Sequence, residues 1–124
     1  MKTFNYTLNQ KPIESMIDFS IFKNEKNLLI QIFCGEKKDI LEYILNVIAK
    51  ELPQAVCIGS STDGEINNSE ITTLNTVITI SVFRETTLKI VSVDEIDSFS
   101  NGVKLASLLC SEDTKLLITF TDGA

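Results

Sequence analysis

Hydrophobic residues fall into short runs separated by polar segments, and three of these runs predict strands of a covered β-sheet. The three runs are 28–34, 55–60 and 116–120. Each run is nearly continuous in small or apolar residues, which is typical of strands that are buried on both faces. Glycine or a polar glycine-containing loop follows each run. The pattern therefore predicts three strands with turn-forming, polar residues at their carboxyl ends.

The clearest helical pattern lies between the first two runs, over about residues 36–51. Apolar residues recur there with helical spacing on a wide face, and Pro53 ends the pattern. Strand, helix and strand at this spacing form a crossover unit, so strands 28–34 and 55–60 are predicted to be parallel. A second helix is predicted over about residues 100–111.

The remaining segments complete a mixed sheet. The runs 76–83 and 87–93 are separated by three residues, which predicts an antiparallel hairpin. Residues 4–8 alternate between apolar and polar and predict a short strand, and Pro12 suits the start of a short helix. The segment 61–75 is predicted to be a long loop without structure of its own. The predicted fold class is α/β, a mixed sheet with a parallel β-α-β unit, an antiparallel hairpin and helices packed on the sheet.

Length and composition predict a single domain over residues 1–124. The chain is 44% hydrophobic and 23% charged, as expected of a globular protein. It ends four residues after a strand of the buried type, so we expect the incomplete N-terminal part of a longer domain. No apolar run approaches the length of a membrane helix, and the N-terminus does not resemble a signal peptide. These features predict a cytoplasmic protein without a membrane partner.

Charge and residue usage exclude several classes of function. The net charge of −6 argues against binding to nucleic acid, which needs a concentrated basic surface. The chain contains no histidine, which removes histidine-based nucleophilic catalysis and histidine metal ligation. The three cysteines lie in or beside apolar segments and are predicted to be buried, reduced thiols. We expect no enzyme activity, no cofactor and no metal.

The predicted strand ends carry the candidate site, because ligands of open α/β sheets bind beyond the carboxyl ends of the strands. Carboxylates there suit an ammonium group, whereas hydroxyls and loop N–H groups suit a carboxylate. The candidate ligand-binding residues are Gly35, Ser60, Ser61, Thr62, Asp63, Gly64, Glu65 and Asp122. One alternative is that the Asp-Gly pairs only form turns. Another is that Asp63, Glu65 and Asp122 hold magnesium for phosphate chemistry, although no Lys or Arg lies near these loops in the sequence.

The segment 57–66, which reads CIGSSTDGEI, resembles the N-terminal domain of the FIST family. Domains of that family carry a small-residue strand followed by a Gly-x-Ser-Thr-x-Gly-Glu-Ile-like loop. The order of the surrounding elements is also similar, over about residues 25–124. The resemblance implies a bacterial sensory input domain that binds small ligands such as amino acids. It also implies a C-terminal companion and signalling output domains in a longer parent protein.

The sequence thus favours a sensory domain that binds a small polar molecule, and it leaves two alternatives open. The first is a self-associating structural or interaction module without its own ligand, because an unpaired sheet edge or an uncovered apolar face favours a homo-oligomer. The second is a fragment of a magnesium-dependent phosphate-processing enzyme.

Overall fold

The computed structural model describes residues 1–121, and the chain divides into two compact units, residues 1–88 and 89–124. The strands of the first unit are β1 (Lys2–Thr7), β2 (Asn27–Cys34), β3 (Val56–Ser61), β4 (Glu65–Asn67), β5 (Glu70–Thr72) and β6 (Thr76–Phe83). Its helices are α1 (Ile13–Met16), the 3-10 helix Phe19–Phe22 and α2 (Lys38–Glu51). The second unit contains α3 (Ser98–Leu109).

Four of these strands form one mixed sheet in the order β1-β6-β2-β3. Strands β2 and β3 are parallel, and β6 is antiparallel to both β1 and β2. The register places Phe4, Ile80, Ile30 and Cys57 in one row across the sheet. This topology confirms the predicted α/β class and the parallel pairing of the first two apolar runs through helix α2.

The core lies on one face of this sheet. Alternate residues of β2 are buried because successive side chains of a strand point to opposite faces. Helix α2 contributes Ile44 and Ile48 to the core, whereas Ile40 and Leu45 on the same predicted apolar face are exposed. The buried core residues are Leu8, Ile13, Ile17, Phe19, Phe22, Leu28, Ile30, Ile32, Cys34, Ile44, Ile48, Leu52, Ile78 and Ile80.

The segment between β1 and β2 packs into this core through its aromatic and branched residues. Helix α1 begins directly after Pro12, and Asp18 caps the following 3-10 helix by accepting a hydrogen bond from the N–H of Ser20 at 3.0 Å. The ring of Phe22 contacts Phe4 edge-on, with centroids 5.0 Å apart. The side-chain amide of Gln54 donates to the Phe22 carbonyl at 3.3 Å. The first 27 residues are therefore an integral part of the unit.

The antiparallel hairpin of the structure lies at β4 and β5, not at the position that the sequence predicted. Both sides of β6 are occupied, by β1 and by β2, so no free edge remains for a partner strand at 87–93, and those residues form no strand. The loop 61–75 was predicted without structure, but it contains the β4–β5 hairpin. Asn68 and Ser69 close that hairpin with positive φ angles of 50° and 67°, as a two-residue turn of type I′ requires.

Strand β3 was predicted to be buried on both faces, and this prediction is wrong. Among the described residues β3 is an edge strand whose one neighbour is β2. Its first three residues are half-buried, and Gly59, Ser60 and Ser61 are exposed. An edge strand with a polar end leaves that end accessible from outside the sheet.

The second unit is built around α3, which Asp97 caps by accepting hydrogen bonds from the N–H of Ser100 at 2.9 Å and from its hydroxyl at 2.7 Å. The predicted strand at 116–120 is not formed, and residues 89–121 contain no strand. No helix within residues 1–121 combines the length and apolar character needed to span a bilayer.

Candidate functional site

The carboxyl ends of β2 and β3 meet at one edge of the sheet. Cys34 pairs with Ser61, and the N–H of Thr62 donates to the Cys34 carbonyl at 3.0 Å. Gly35 and the loop 60–64 therefore share one rim, which we call the strand-end rim. The third predicted contributor, Asp122, lies outside the described residues.

The outer side of the strand-end rim is polar and accessible. Ser60, Ser61, Asp63 and Gly64 are all exposed. The hydroxyl of Ser60 donates to the Ser61 carbonyl at 2.9 Å. Within residues 1–121 the Asp63 carboxylate has neither a hydrogen bond nor an ion pair. Its acceptor capacity is consequently free for a molecule that binds from solution.

The inner side of the rim is built by Thr62 and Glu65. Glu65 is 2% exposed, and its Oε1 accepts a hydrogen bond from the Thr62 hydroxyl at 2.6 Å. The Thr72 hydroxyl of β5 lies 3.5 Å from Oε2. Glu65 was predicted to meet the ligand, but it lies beneath the rim and not on its surface. Of the predicted carboxylates that the structure describes, Asp63 is the one that faces solvent.

Asn75 joins three segments at this edge of the sheet, although it was not among the candidate residues. Its Oδ1 accepts hydrogen bonds from the N–H of Asn9 and from its neighbour Thr76, both at 2.8 Å. Its carbonyl accepts the N–H of Gly35 at 2.7 Å. An Asn just before a strand reads as an ordinary turn residue, so no local signal distinguished it. Asn75 fixes the position of the end of β2.

A second buried polar contact lies beside the rim, at Thr76. The Thr76 hydroxyl donates to the Glu36 carboxylate at 2.6 Å and lies 3.3 Å from the Cys34 sulfur. Cys34 and Thr76 are buried, and Glu36 is half-buried. This contact connects the start of β6 to the segment between β2 and α2. It stabilises these two segments beside the rim and does not involve the exposed residues of the rim.

Burial controls the chemistry of Cys57, which lies on β3 three residues before Ser60. Desolvation raises the pKa of the Cys57 thiol from 9.0 to about 11, because burial disfavours the thiolate. We expect Cys57 to resist alkylation by iodoacetamide at pH 8, whereas the exposed Cys110 reacts first. Peptide mass spectrometry after timed alkylation measures both rates, and equal rates in the native protein would contradict the burial of Cys57.

The same shift makes the stability of the fold depend on pH. Well below pH 9 the thiol is protonated in the folded and unfolded chains, so it has no effect on the pH dependence there. Between about pH 9 and about pH 11 only the unfolded chain loses this proton, so the free energy of unfolding falls as the pH rises through that window. A Cys57→Ala variant should lack this part of the pH dependence in urea titrations.

A surface cavity of about 590 Å³ lies elsewhere, beside α1 and the 3-10 helix, and none of the predicted ligand residues lines it. Its carboxylates already have partners. Glu14 accepts a hydrogen bond from the Tyr43 hydroxyl, which lowers the pKa of that carboxyl. Glu51 pairs with Lys23 at 3.2 Å, and the hydrogen bonds from Ser20 lower the pKa of Asp18. The strand-end rim, with its unengaged Asp63, is the better candidate site.

No three Cys, Asp or Glu side chains within residues 1–121 are grouped so that they can hold a metal ion together. In particular, Asp63 is exposed and Glu65 is buried, and neither belongs to such a group.

Comparison with models of known protein families identifies the family to which this chain belongs. The family model described as FIST N domain matches residues 28–124. The chain belongs to the FIST N domain family. FIST domains form a sensory domain family of signal-transduction proteins and are not a known enzyme family. No curated protein and no solved structure matches this chain.

The part of the chain that matches the FIST model contains the whole strand-end rim. It begins at Leu28, one residue into β2, so β1 and the 3-10 helix precede it. The FIST portion of the first unit thus relies on residues 1–27 for one strand of its sheet and for part of its core.

Proposed function

We propose that the strand-end rim of this FIST domain binds a small polar molecule, an amino acid being the ligand class it suits best, and that this binding is the input of a signalling protein. The observation that carries the proposal is the unengaged, exposed Asp63 carboxylate at the joined ends of two parallel strands. Ligands of α/β sheets bind at this type of edge. Membership in a sensory family supports the same role.

The chemistry of the rim is complementary to a zwitterion. Asp63 can accept hydrogen bonds from an ammonium group, and the hydroxyl of Ser61, which has no hydrogen-bond partner within residues 1–121, can donate to a carboxylate. Exposed backbone at Gly64 leaves room for close approach, since a Cβ there would make only an ordinary contact, 3.6 Å from the Thr72 carbonyl. An amino acid presents both charged groups a few ångströms apart, which fits one short loop.

Saturation-transfer NMR with each of the proteinogenic L-amino acids tests this proposal on the full chain. We expect at least one amino acid to bind, and the same compound to raise the melting temperature as its concentration exceeds its Kd. Asp63→Asn should weaken that binding by about tenfold or more, because it removes a hydrogen bond between charged groups.

Glu70→Gln provides the matched control, since Glu70 is an exposed carboxylate on the neighbouring hairpin and the change in net charge is identical. This variant should bind like the unmodified protein. A panel in which no amino acid gives a signal, or in which both variants lose affinity equally, contradicts amino acid recognition by Asp63.

One feature of the sheet favours the second candidate function, self-association. Edge strand β3 contains neither a charged residue nor proline, whereas the opposite edge strand β1 carries Lys2. Natural edge strands are commonly protected by such residues, and β3 is not. Light scattering on the samples used for NMR distinguishes the two candidates, because a ligand-free dimer that no amino acid perturbs supports the interaction module.

A further inference from the structure

Glu65 is a buried carboxylate that accepts a hydrogen bond from Thr62 in the loop 60–64. Among the described residues its polar partners are two hydroxyls, those of Thr62 and Thr72, and none of the ion pairs involves it. A carboxylate in the interior is costly unless it is paired, and hydroxyl donors compensate only part of its lost hydration. The two hydroxyl contacts of Glu65 thus make it a polar link between segments rather than a part of the apolar core.

The space for this carboxylate is created by Gly35 at the end of β2. A Cβ built on Gly35 would overlap Oε1 of Glu65 and lie 2.9 Å from its Cδ. Such distances are well inside van der Waals contact, so any side chain at this position displaces the carboxylate. Glu65 thus occupies a gap that only glycine at position 35 leaves open.

Glu65 links two segments, the strand-end rim and the β4–β5 hairpin, through its hydrogen bonds to Thr62 and Thr72. Thr62 belongs to the strand-end rim, and its N–H is bonded to β2 through the Cys34 carbonyl. Thr72 belongs to β5, and its register partner on β4 is Glu65 itself. Release of Glu65 into water would restore the hydration of the carboxylate while it detaches the rim from the hairpin.

We propose that Glu65 is the positioning residue of the strand-end rim, which holds Thr62 and Asp63 in their binding geometry and couples the rim to the β4–β5 hairpin. The part of this inference that concerns ligand affinity rests on the proposed function. The coupling itself is a property of the unliganded chain. Glu65 acts through Thr62 and does not contact the ligand.

Amide hydrogen exchange of the unliganded protein tests the coupling. The Thr62 amide reports release of the rim, and the β4–β5 ladder amides report opening of the hairpin. Glu65→Ala should accelerate exchange of both sets by about tenfold or more, whereas amides of the β1–β6 ladder keep their rates. Glu65→Gln should restore slow exchange, because the amide oxygen can still accept the Thr62 hydrogen bond.

Two results would overturn the inference. The first is equal acceleration throughout the sheet in Glu65→Ala, which would mean a general loss of stability. The second is unchanged Thr62 exchange in a folded Glu65→Ala. Should Glu65→Ala fail to fold, two variants of Thr62 replace it. Thr62→Val removes the hydrogen bond to Glu65 and should accelerate exchange as described for Glu65→Ala. Thr62→Ser retains the bond and should keep exchange slow.

Ligand affinity separates positioning from direct contact. With the best-binding L-amino acid of the NMR panel, Glu65→Ala should raise the Kd by about tenfold and Glu65→Gln by less than about twofold. A Glu65→Gln variant that folds normally but binds as poorly as Asp63→Asn would show that the charge of Glu65 meets the ligand, and would overturn the positioning role. If no amino acid binds the unmodified chain, the proposed function fails, while the exchange experiment still decides the coupling.

Discussion

Replacement of Phe22 by alanine should lower the free energy of unfolding of the first unit by about 3–5 kcal/mol. Phe22 is 1% exposed and lies among the core residues, with its ring edge-on to Phe4. Truncation to alanine removes the buried ring and leaves a cavity that the strands on the sheet side cannot fill. Urea denaturation followed by far-UV circular dichroism measures the change.

Ile21→Ala is the control for this experiment, because Ile21 is the preceding residue of the same 3-10 helix and its side chain is exposed. It should cost less than about 1 kcal/mol, as expected for a substitution away from the core. Similar losses in the two variants would contradict the packing of Phe22. A large loss at Phe22 alone would show that residues preceding the FIST match are needed for the stability of the sheet that carries the rim.

Gly59→Ala should destabilise the pairing of β3 with β2 by about 3 kcal/mol, the upper end of the usual cost of overpacking. A Cβ on Gly59 would overlap the carbonyl oxygen of Ile32 and lie 3.0 Å from its carbonyl carbon. These are backbone atoms of a central strand, so relief requires the two strands to separate. Because β3 carries the rim, ligand affinity should fall together with stability.

Gly64→Ala tests whether the effect is specific to that close approach. Gly64 has no positive φ angle, and a Cβ there would make only ordinary contact. The free energy of unfolding of this variant should lie within about 0.5 kcal/mol of that of the unmodified chain, the usual range for a surface substitution. Similar free energies of unfolding for Gly59→Ala and Gly64→Ala would contradict the close approach of Gly59 to Ile32 in the β2–β3 pair.

The elements that the sequence predicted correctly are those defined by local periodicity. Strand β2 was predicted from a continuous apolar run and α2 from helical spacing that ends at Pro53, so both were predictable from one segment at a time. The two faces of β2 differ, however, because its residues alternate between buried and half-buried. The parallel pairing followed from the short strand-helix-strand spacing. The same reasoning placed Gly35 beside Ser61 at one edge, which the register confirms.

The errors arise where the partner of a segment is distant in the chain. Residues 87–93 have the pattern of a strand, but the position beside β6 is taken by β1, whose residues precede their partners on β6 by 70 to 80 positions. The β4–β5 hairpin was missed because its turn is Asn68-Ser69, a much weaker signal than Asn-Gly. The burial of Glu65 depends on the missing side chain of Gly35, a non-local condition that no periodicity reveals.

The central place of β6 has a consequence for biosynthesis. Strands β1 and β2 do not pair with each other, because β6 (Thr76–Phe83) lies between them and pairs with both. A nascent chain that has not yet exposed β6 therefore leaves β1 without a partner and one edge of β2 open, a state that favours association with chaperones or with other nascent chains. Folding that depends on such sequence-distant pairing is also intrinsically slower than that of helical bundles.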